Sequence, residues 1–236
     1  MSELDQAISH VTPINFSKFN GVIFDLDGTL VDSVPDLTLA LNDALTTLGF
    51  SRVTEAQVRL WVGNGSRKLV ERSLESLGQL NDTTLGLLHQ AFLNSYQTFL
   101  CAQSQLYPGV VELLEYCARH NMAIGLVTNK PKEFVPPLLD ALNISHFFRV
   151  LVGGDSLSEK KPSPLPLLHV AEKLGVPVSA CLMVGDSSSD VLSAQAAHMK
   201  CVLLKQGYNQ GKDLSLLNAD WLLADVAALI DHIQTS

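Results

Sequence analysis

Gly21-Val-Ile-Phe-Asp25-Leu-Asp27-Gly28-Thr29-Leu30 is the stretch on which the fold turns. Val22, Ile23 and Phe24 form a continuous apolar run rather than an alternating one, the mark of a strand buried on both faces of a parallel sheet. The run ends in two carboxylates two residues apart. Open parallel sheets bind ligands beyond the carboxyl ends of their strands, so Asp25 and Asp27 stand where a site is expected, and Gly28 lets the backbone turn tightly and approach a ligand. Alone, DxDG also suits a calcium-type loop or a polar strand end. An EF-hand is excluded, because its later Glu and its flanking helices are missing.

Outward from this stretch, similar apolar runs occur at 123–127, 150–152, 181–184 and 201–204, with a weaker one at 221–223. Helical patterns at 110–120, 134–142, 165–174 and 190–197 fall between them, and strands alternating with helices predict an α/β fold with right-handed crossovers. From 34 to 106 the pattern is helical only, with Leu37, Leu41, Leu45 and Leu48 on one stripe and Leu88, Phe92, Tyr96 and Phe99 on another. Thr54-Glu-Ala-Gln57 has the form of a capping box at a helix start. The expected organisation is an N-terminal extension over 1–20, a core from 21–32 and 107–236, and an all-helical domain over 33–106. Its hinges fall near Asp32-Ser33 and at 105–109.

Composition narrows the function. The 236 residues are 47% hydrophobic and 17% charged, enough apolar side chain to exclude disorder as the main state. With 16 basic against 24 acidic side chains and no basic cluster, nucleic acid is not expected as a partner. Cys101, Cys117, Cys181 and Cys201 lie far apart without a CxxC pair, so neither a zinc site nor a disulfide framework is expected. Seven histidines show no HxH or HExxH spacing. The first twenty residues do not read as a signal peptide, and no apolar run nears the roughly 20 residues that cross a bilayer. The reading is of a soluble, cytoplasmic protein with no membrane partner.

Three further strand ends carry polar groups: Thr128-Asn129-Lys130, then Gly153-Gly154-Asp155 leading to Lys160-Lys161-Pro162, then Gly185-Asp186-Ser187-Ser188-Ser189-Asp190. Each alone has a plain reading as a helix cap, a solvated lysine or a first-turn carboxylate. Their joint order, at the ends of successive strands, makes coincidence improbable. The set resembles the haloacid dehalogenase (HAD) superfamily of aspartyl phosphotransferases through DLDGTLVDS, TNK, the lysine of KKPSPLPL, and GDSSSD. Within it, DSVPDL, WVGNGSRKLVERSL, LYPGV, GGD and GYNQG are similar to the phosphoglycolate phosphatase branch.

The resemblance implies a Rossmann-like parallel sheet core (the HAD fold) with an inserted all-helical cap. It implies Asp25 as nucleophile, Asp27 as general acid/base, and Thr128 and Lys161 as further catalytic groups, with Asn129 binding substrate. Mg2+ would be held by Asp25, the backbone carbonyl of Asp27 and Asp186. Gly28, Thr29 and Asp190 would support the site, Asp190 by holding an outer-shell water or by orienting Lys161. The implied partner is a small phosphorylated metabolite, 2-phosphoglycolate, and the chain a monomer or homodimer. Sugar phosphates, nucleotides or pyrophosphate are alternative substrates, and a mutase or an inactive binding protein are more distant readings.

Two local expectations complete the reading. Gly63-Asn64-Gly65 lacks a preceding strand and a third glycine, so it is no nucleotide fingerprint. It is expected to face the substrate, with Asn64, Ser66 and Arg67 as candidates to meet a small carboxylate, although Arg67 and Lys68 equally suit solvated helix charges. Ser163 is expected as a helix N-cap with Pro164 at the first helical position.

Overall fold

A run such as Val22-Ile23-Phe24 has no polar face to offer water and is stable only when covered on both sides. In the computed structural model, which describes residues 14–234, this run is β1 (Gly21–Phe24), at the centre of a six-stranded parallel sheet. After it come β2 (Val31–Asp32), four helices α1 (Val34–Thr47), α2 (Glu55–Trp61), α3 (Ser66–Ser76) and α4 (Asp82–Phe99), and β3 (Gln105–Leu106). Alternation then sets in with α5 (Val110–Arg119), β4 (Ala123–Val127), α6 (Val135–Ala141), β5 (Val150–Val152), α7 (Leu165–Leu174), β6 (Cys181–Gly185), α8 (Ser188–Ala196), β7 (Lys200–Leu204), β8 (Trp221–Leu223) and α9 (Val226–Gln234).

The sheet order is β5-β4-β1-β6-β7-β8. The chain builds β4 and β5 on one side of β1, then returns to lay β6, β7 and β8 on the other. The order reverses at β1, leaving a crevice beyond the carboxyl ends of β1, β4 and β6. Alternate side chains divide between the two faces. Val22, Phe24, Ile124, Leu126, Leu182 and Val184 pack with α5, α6 and α9, while Ile23, Val127, Met183 and Leu203 pack with α7 and α8. The α/β expectation holds, including the weak strand at β8.

The helical insert leaves and rejoins the core through a two-stranded antiparallel stem, in which Val31 faces Leu106 and Asp32 faces Gln105. Its four helices share a cluster of their own, with Leu41, Leu45, Val58, Val70, Leu74, Leu88 and Phe92 buried together; Phe134 and Tyr208 of the core join it. Buried polar groups fasten the insert internally. Asn42 bonds both the N–H (2.7 Å) and the carbonyl (2.9 Å) of Val53, and Asp36 accepts from the amides of Gln103 (2.7 Å) and Ser104 (3.0 Å) beside the returning strand. The Thr54–Gln57 capping box is formed at the start of α2.

Two details differ from the sequence reading. Helix α7 spans the expected Leu165–Leu174, but its N-cap is Pro164, which already has helical torsions, rather than Ser163, whose Oγ accepts from Leu165 N at 3.2 Å. Of the extension expected over 1–20, residues 1–13 lie outside the described residues. Ile14, Phe16 and Phe19 are buried in the core cluster, and the Phe19 ring meets Trp221 edge-on at 6.4 Å. Among the described residues, no helix is long and apolar enough to cross a membrane.

Candidate active site

Asp25 follows β1 directly, and its amide still pairs with the Val184 carbonyl of β6 at 2.9 Å. The backbone then curls, Gly28 N donating to Val31 O at 2.8 Å, so that Asp25 and Asp27 project into the crevice. Gly28 sits at φ +93°, and a Cβ there would lie 2.2 Å from Asp186 Oδ2. No other residue fits this turn, for reasons of both torsion and space.

Asp186, at the end of β6, is held from two sides: Thr29 Oγ1 donates to its Oδ1 at 2.9 Å, and the Tyr208 amide to its Oδ2 at 2.6 Å. Lys161, only 2% exposed, lies between Asp25 Oδ1 at 2.9 Å and Asp190 Oδ1 at 2.6 Å. The second oxygen of Asp190 accepts from Ser187 N (3.0 Å), Ser187 Oγ (2.7 Å) and Asp186 N (3.3 Å). Asp190 is therefore fully engaged, tied to Lys161 by one oxygen and to the first turn of α8 by the other.

Asp25, Asp186 and Asp190 can bring carboxylate oxygens within 4.8 Å of one another. Burial pushes the Asp25 carboxyl up to about 7, against the pull of Lys161 and with the push of Asp190. Asp186 is raised well above the carboxylate range by burial, then by Asp25 and Asp190. Burial disfavours the Lys161 ammonium, but Asp190 and Asp25 outweigh it and hold the charge. With all three carboxyls ionised, one ammonium leaves an excess of two negative charges, the penalty that raises Asp25 and Asp186 and that one divalent cation would neutralise. Among the described residues, the partner of the buried Asp25 Oδ1 is the Lys161 ammonium at 2.9 Å. With Asp190 fully engaged, Asp25 and Asp186 are the carboxylates free to serve as ligands, and an all-oxygen donor set suits a hard cation.

Asp27 stands apart from this cluster. Lys130 Nζ grips it at 3.0 and 3.3 Å, and Lys130 is itself buried. Thr128 is buried at the end of β4 and accepts from Lys130 N at 3.2 Å. Asn129 is a strut: its Nδ2 donates to Gly63 O of the helical insert and to Lys161 O, both at 3.1 Å, while its buried Oδ1 meets no donor among the described residues. A cavity lies between core and insert, with Asp25, Asp27, Thr128, Asn129 and Lys130 on its floor and Val62, Gly65, Ser66, Leu69, Phe92 and Tyr96 on its roof.

The roof differs from the sequence expectation in two places. Asn64 does not line the cavity, because its polar atoms are engaged elsewhere. Its Nδ2 donates to Ser189 Oγ (3.2 Å), its Oδ1 accepts from Arg72 (2.7 Å) and Gln210 (2.8 Å), and its carbonyl accepts from Lys160 (2.9 Å). Arg67 is exposed and also absent from the lining. Of the expected candidates Ser66 does line the cavity, joined by Tyr96 and Lys130. Lys130 was legible only as the third letter of TNK, Tyr96 only as one member of an apolar stripe, and Tyr208 only as part of GYNQG.

Comparison with known proteins gives a consistent picture. The family model described as haloacid dehalogenase-like hydrolase matches residues 22–204. The phosphoglycolate phosphatase of Yersinia pestis is 42% identical over 221 residues, covering 93% of this chain and 95% of that one. That of Psychrobacter arcticus is 42% identical over 217 residues, covering 90% and 94%. A crystal structure from Haemophilus somnus, described as a predicted phosphoglycolate phosphatase, superimposes with a TM-score of 0.86 at 36% identity, covering 91% of this chain and 97% of that one.

Proposed function

We propose, since the chain belongs to the haloacid dehalogenase-like hydrolase family, that it is a magnesium-dependent phosphatase converting 2-phosphoglycolate to glycolate and phosphate. The observation that carries this reading is the buried set of Asp25, Asp186, Asp190 and Lys161 at the sheet's crevice, with Asp27 held separately by Lys130. A carboxylate oxygen of Asp25 attacks phosphorus, forming an aspartyl-phosphate as the ester P–O bond breaks. Asp27 gives its proton to the leaving glycolate oxygen, then takes one from the water that attacks the aspartyl-phosphate and restores Asp25.

Lys130 holds the Asp27 carboxyl on line for both transfers. Lys161 and Thr128 donate to the phosphoryl oxygens, where charge concentrates in the transition state. Asp25, the Asp27 carbonyl and Asp186 would hold Mg2+, which would supply positive charge at the phosphoryl group. The apolar roof, Val62, Leu69 and Phe92, keeps bulk water from the intermediate. In this reading the enzyme is cytoplasmic, a monomer or homodimer, and takes a small phosphorylated metabolite rather than nucleic acid or membrane.

A phosphate-release screen with Mg2+ across 2-phosphoglycolate, sugar phosphates, nucleotides and pyrophosphate tests the substrate. Preference for another compound would replace the substrate assignment. A normal phosphate burst from Asp25→Asn would overturn the mechanism.

A further inference from the structure

Tyr96 is 1% exposed and lines the cavity, yet among the described residues its phenolic hydroxyl meets no hydrogen-bond acceptor, the polar group beside it being the Lys130 ammonium. Burial pushes the phenol up to about 12 despite nearby Lys130, so it keeps its proton. Lys130 lies over the ring face, Nζ 4.5 Å from its centre, but an ammonium only donates. Among the described residues the Tyr96 proton thus has no acceptor in hydrogen-bond geometry, and a buried donor in that state favours a ligand that supplies one.

A second set of donors meets the same space. Helix α3 begins at Ser66 after Gly65, which contributes no side-chain cap, and its first intrahelical bond runs from Leu69 N to Gly65 O. The amides of its first turn thus lack intrahelical partners and carry the positive end of the helix dipole. Gly65 and Ser66 both line the cavity. Ser66 Oγ is 2.9 Å from His89 Nε2, and burial with Arg67 nearby lowers the His89 pKa, disfavouring the charged ring. With its proton on Nε2 the ring donates to Ser66 Oγ, which frees the serine proton for a ligand. Leu37, Val62, Leu69, Phe92 and Phe134 complete the wall with apolar surface.

We propose that the Tyr96 hydroxyl, the Ser66 hydroxyl and the amino end of α3 form a subsite for the carboxylate at the non-reacting end of the substrate. His89 is the positioning residue for Ser66. The floor takes the phosphate, the roof takes the carboxylate, and the apolar wall between them suits a short linker. This inference rests on the phosphatase reading above and adds how the second anionic group is recognised.

The test compares kcat/KM for 2-phosphoglycolate with that for ethyl phosphate, which keeps the ester and lacks the carboxylate, in the wild type, Tyr96→Phe, Ser66→Ala and His89→Gln. 3-Phosphoglycerate serves as a second carboxylate-bearing ester. Tyr96→Phe and Ser66→Ala should each lower the preference for the carboxylate-bearing ester about ten- to a hundredfold, the usual range for a hydrogen bond to a charged group. His89→Gln, whose amide can still donate to Ser66, should lower it less than Ser66→Ala. Equal losses on both ester types, or no change in the ratio, would overturn the subsite. A wild type that prefers 3-phosphoglycerate, with the same variants eroding that preference, would uphold the subsite and replace the substrate assignment. A wild type indifferent to the carboxylate would overturn both.

Discussion

Replacing Asp25 by Asn in metal-free protein should stabilise the fold, and should do so more at pH 8 than at pH 5. The buried Asp25 carboxyl titrates at about 7 instead of 3.8, so between those values the folded protein holds a proton that the unfolded chain has released. The unfolded state then binds fewer protons, and stability falls as pH rises through this window. At about 1.4 kcal/mol per pH unit, wild type should lose roughly 2–3 kcal/mol from this group between pH 5 and pH 8. The amide of the Asp25→Asn variant does not titrate and loses nothing. It also relieves Asp186 of a neighbouring charge, an effect of the same sign.

For a domain of this size the difference corresponds to about 5–10 °C in Tm. Urea melts and thermal melts in EDTA, at pH 5 and pH 8, measure it. Adding Mg2+ should shrink or reverse the advantage at pH 8, because the cation stabilises the ionised Asp25 of the wild type and finds a weaker ligand in the amide. An advantage of Asp25→Asn over wild type that is the same at both pH values in EDTA would refute the reasoning, since the buried charge would then not be what penalises the fold.

Three other perturbations reach different parts of the site. Gly28→Ala places a methyl 2.2 Å from Asp186 Oδ2 in a left-handed turn, and should weaken Mg2+ binding at least about tenfold through the displaced carboxylate; titration calorimetry reads this directly. Lys130→Met leaves Asp27 without its grip and should lower kcat by about a hundredfold, the scale of a misplaced general acid, with Lys130→Arg recovering part of it in steady-state assays. Asn64→Ala removes the side-chain bonds to Ser189 and Gln210 that fasten the roof to the core, and the bond to Arg72 within the roof. It should raise KM severalfold with a smaller change in kcat, whereas a direct contact with the reacting group would lower kcat.

The strands were legible because burial on both faces writes itself locally, as continuous apolar runs whose ends change abruptly to Asp, Thr or Gly. β1, β4 and β6 each carry that signature, and Asp25, Thr128 and Asp186 could be singled out without knowing which strands are neighbours. The capping box at Thr54 is local in the same way. The Ser163 expectation missed by one residue, since a proline-rich entry lets the helix begin at either of two adjacent positions. Asn64 and Arg67 are a different case. In a glycine-flanked loop no periodicity says which way a side chain turns, and Asn64 turns to Ser189, Arg72 and Gln210.

By itself, then, the sequence determined the sheet, the inserted helices and the order in which carboxylates and a lysine arrive at strand ends, because each depends on neighbours a few residues away. Only the tertiary structure decided how those groups divide the work of charge. Lys161 reaches Asp190 across 29 residues and also pairs with the much more distant Asp25, Lys130 takes Asp27 across 103, and the Tyr208 amide reaches back 22 residues to Asp186. Such pairings follow from the reversal of strand order at β1, which brings three distant loops to one crevice. In that water-poor space each buried charge must find a partner, and which partner it finds is set by packing rather than by any local pattern.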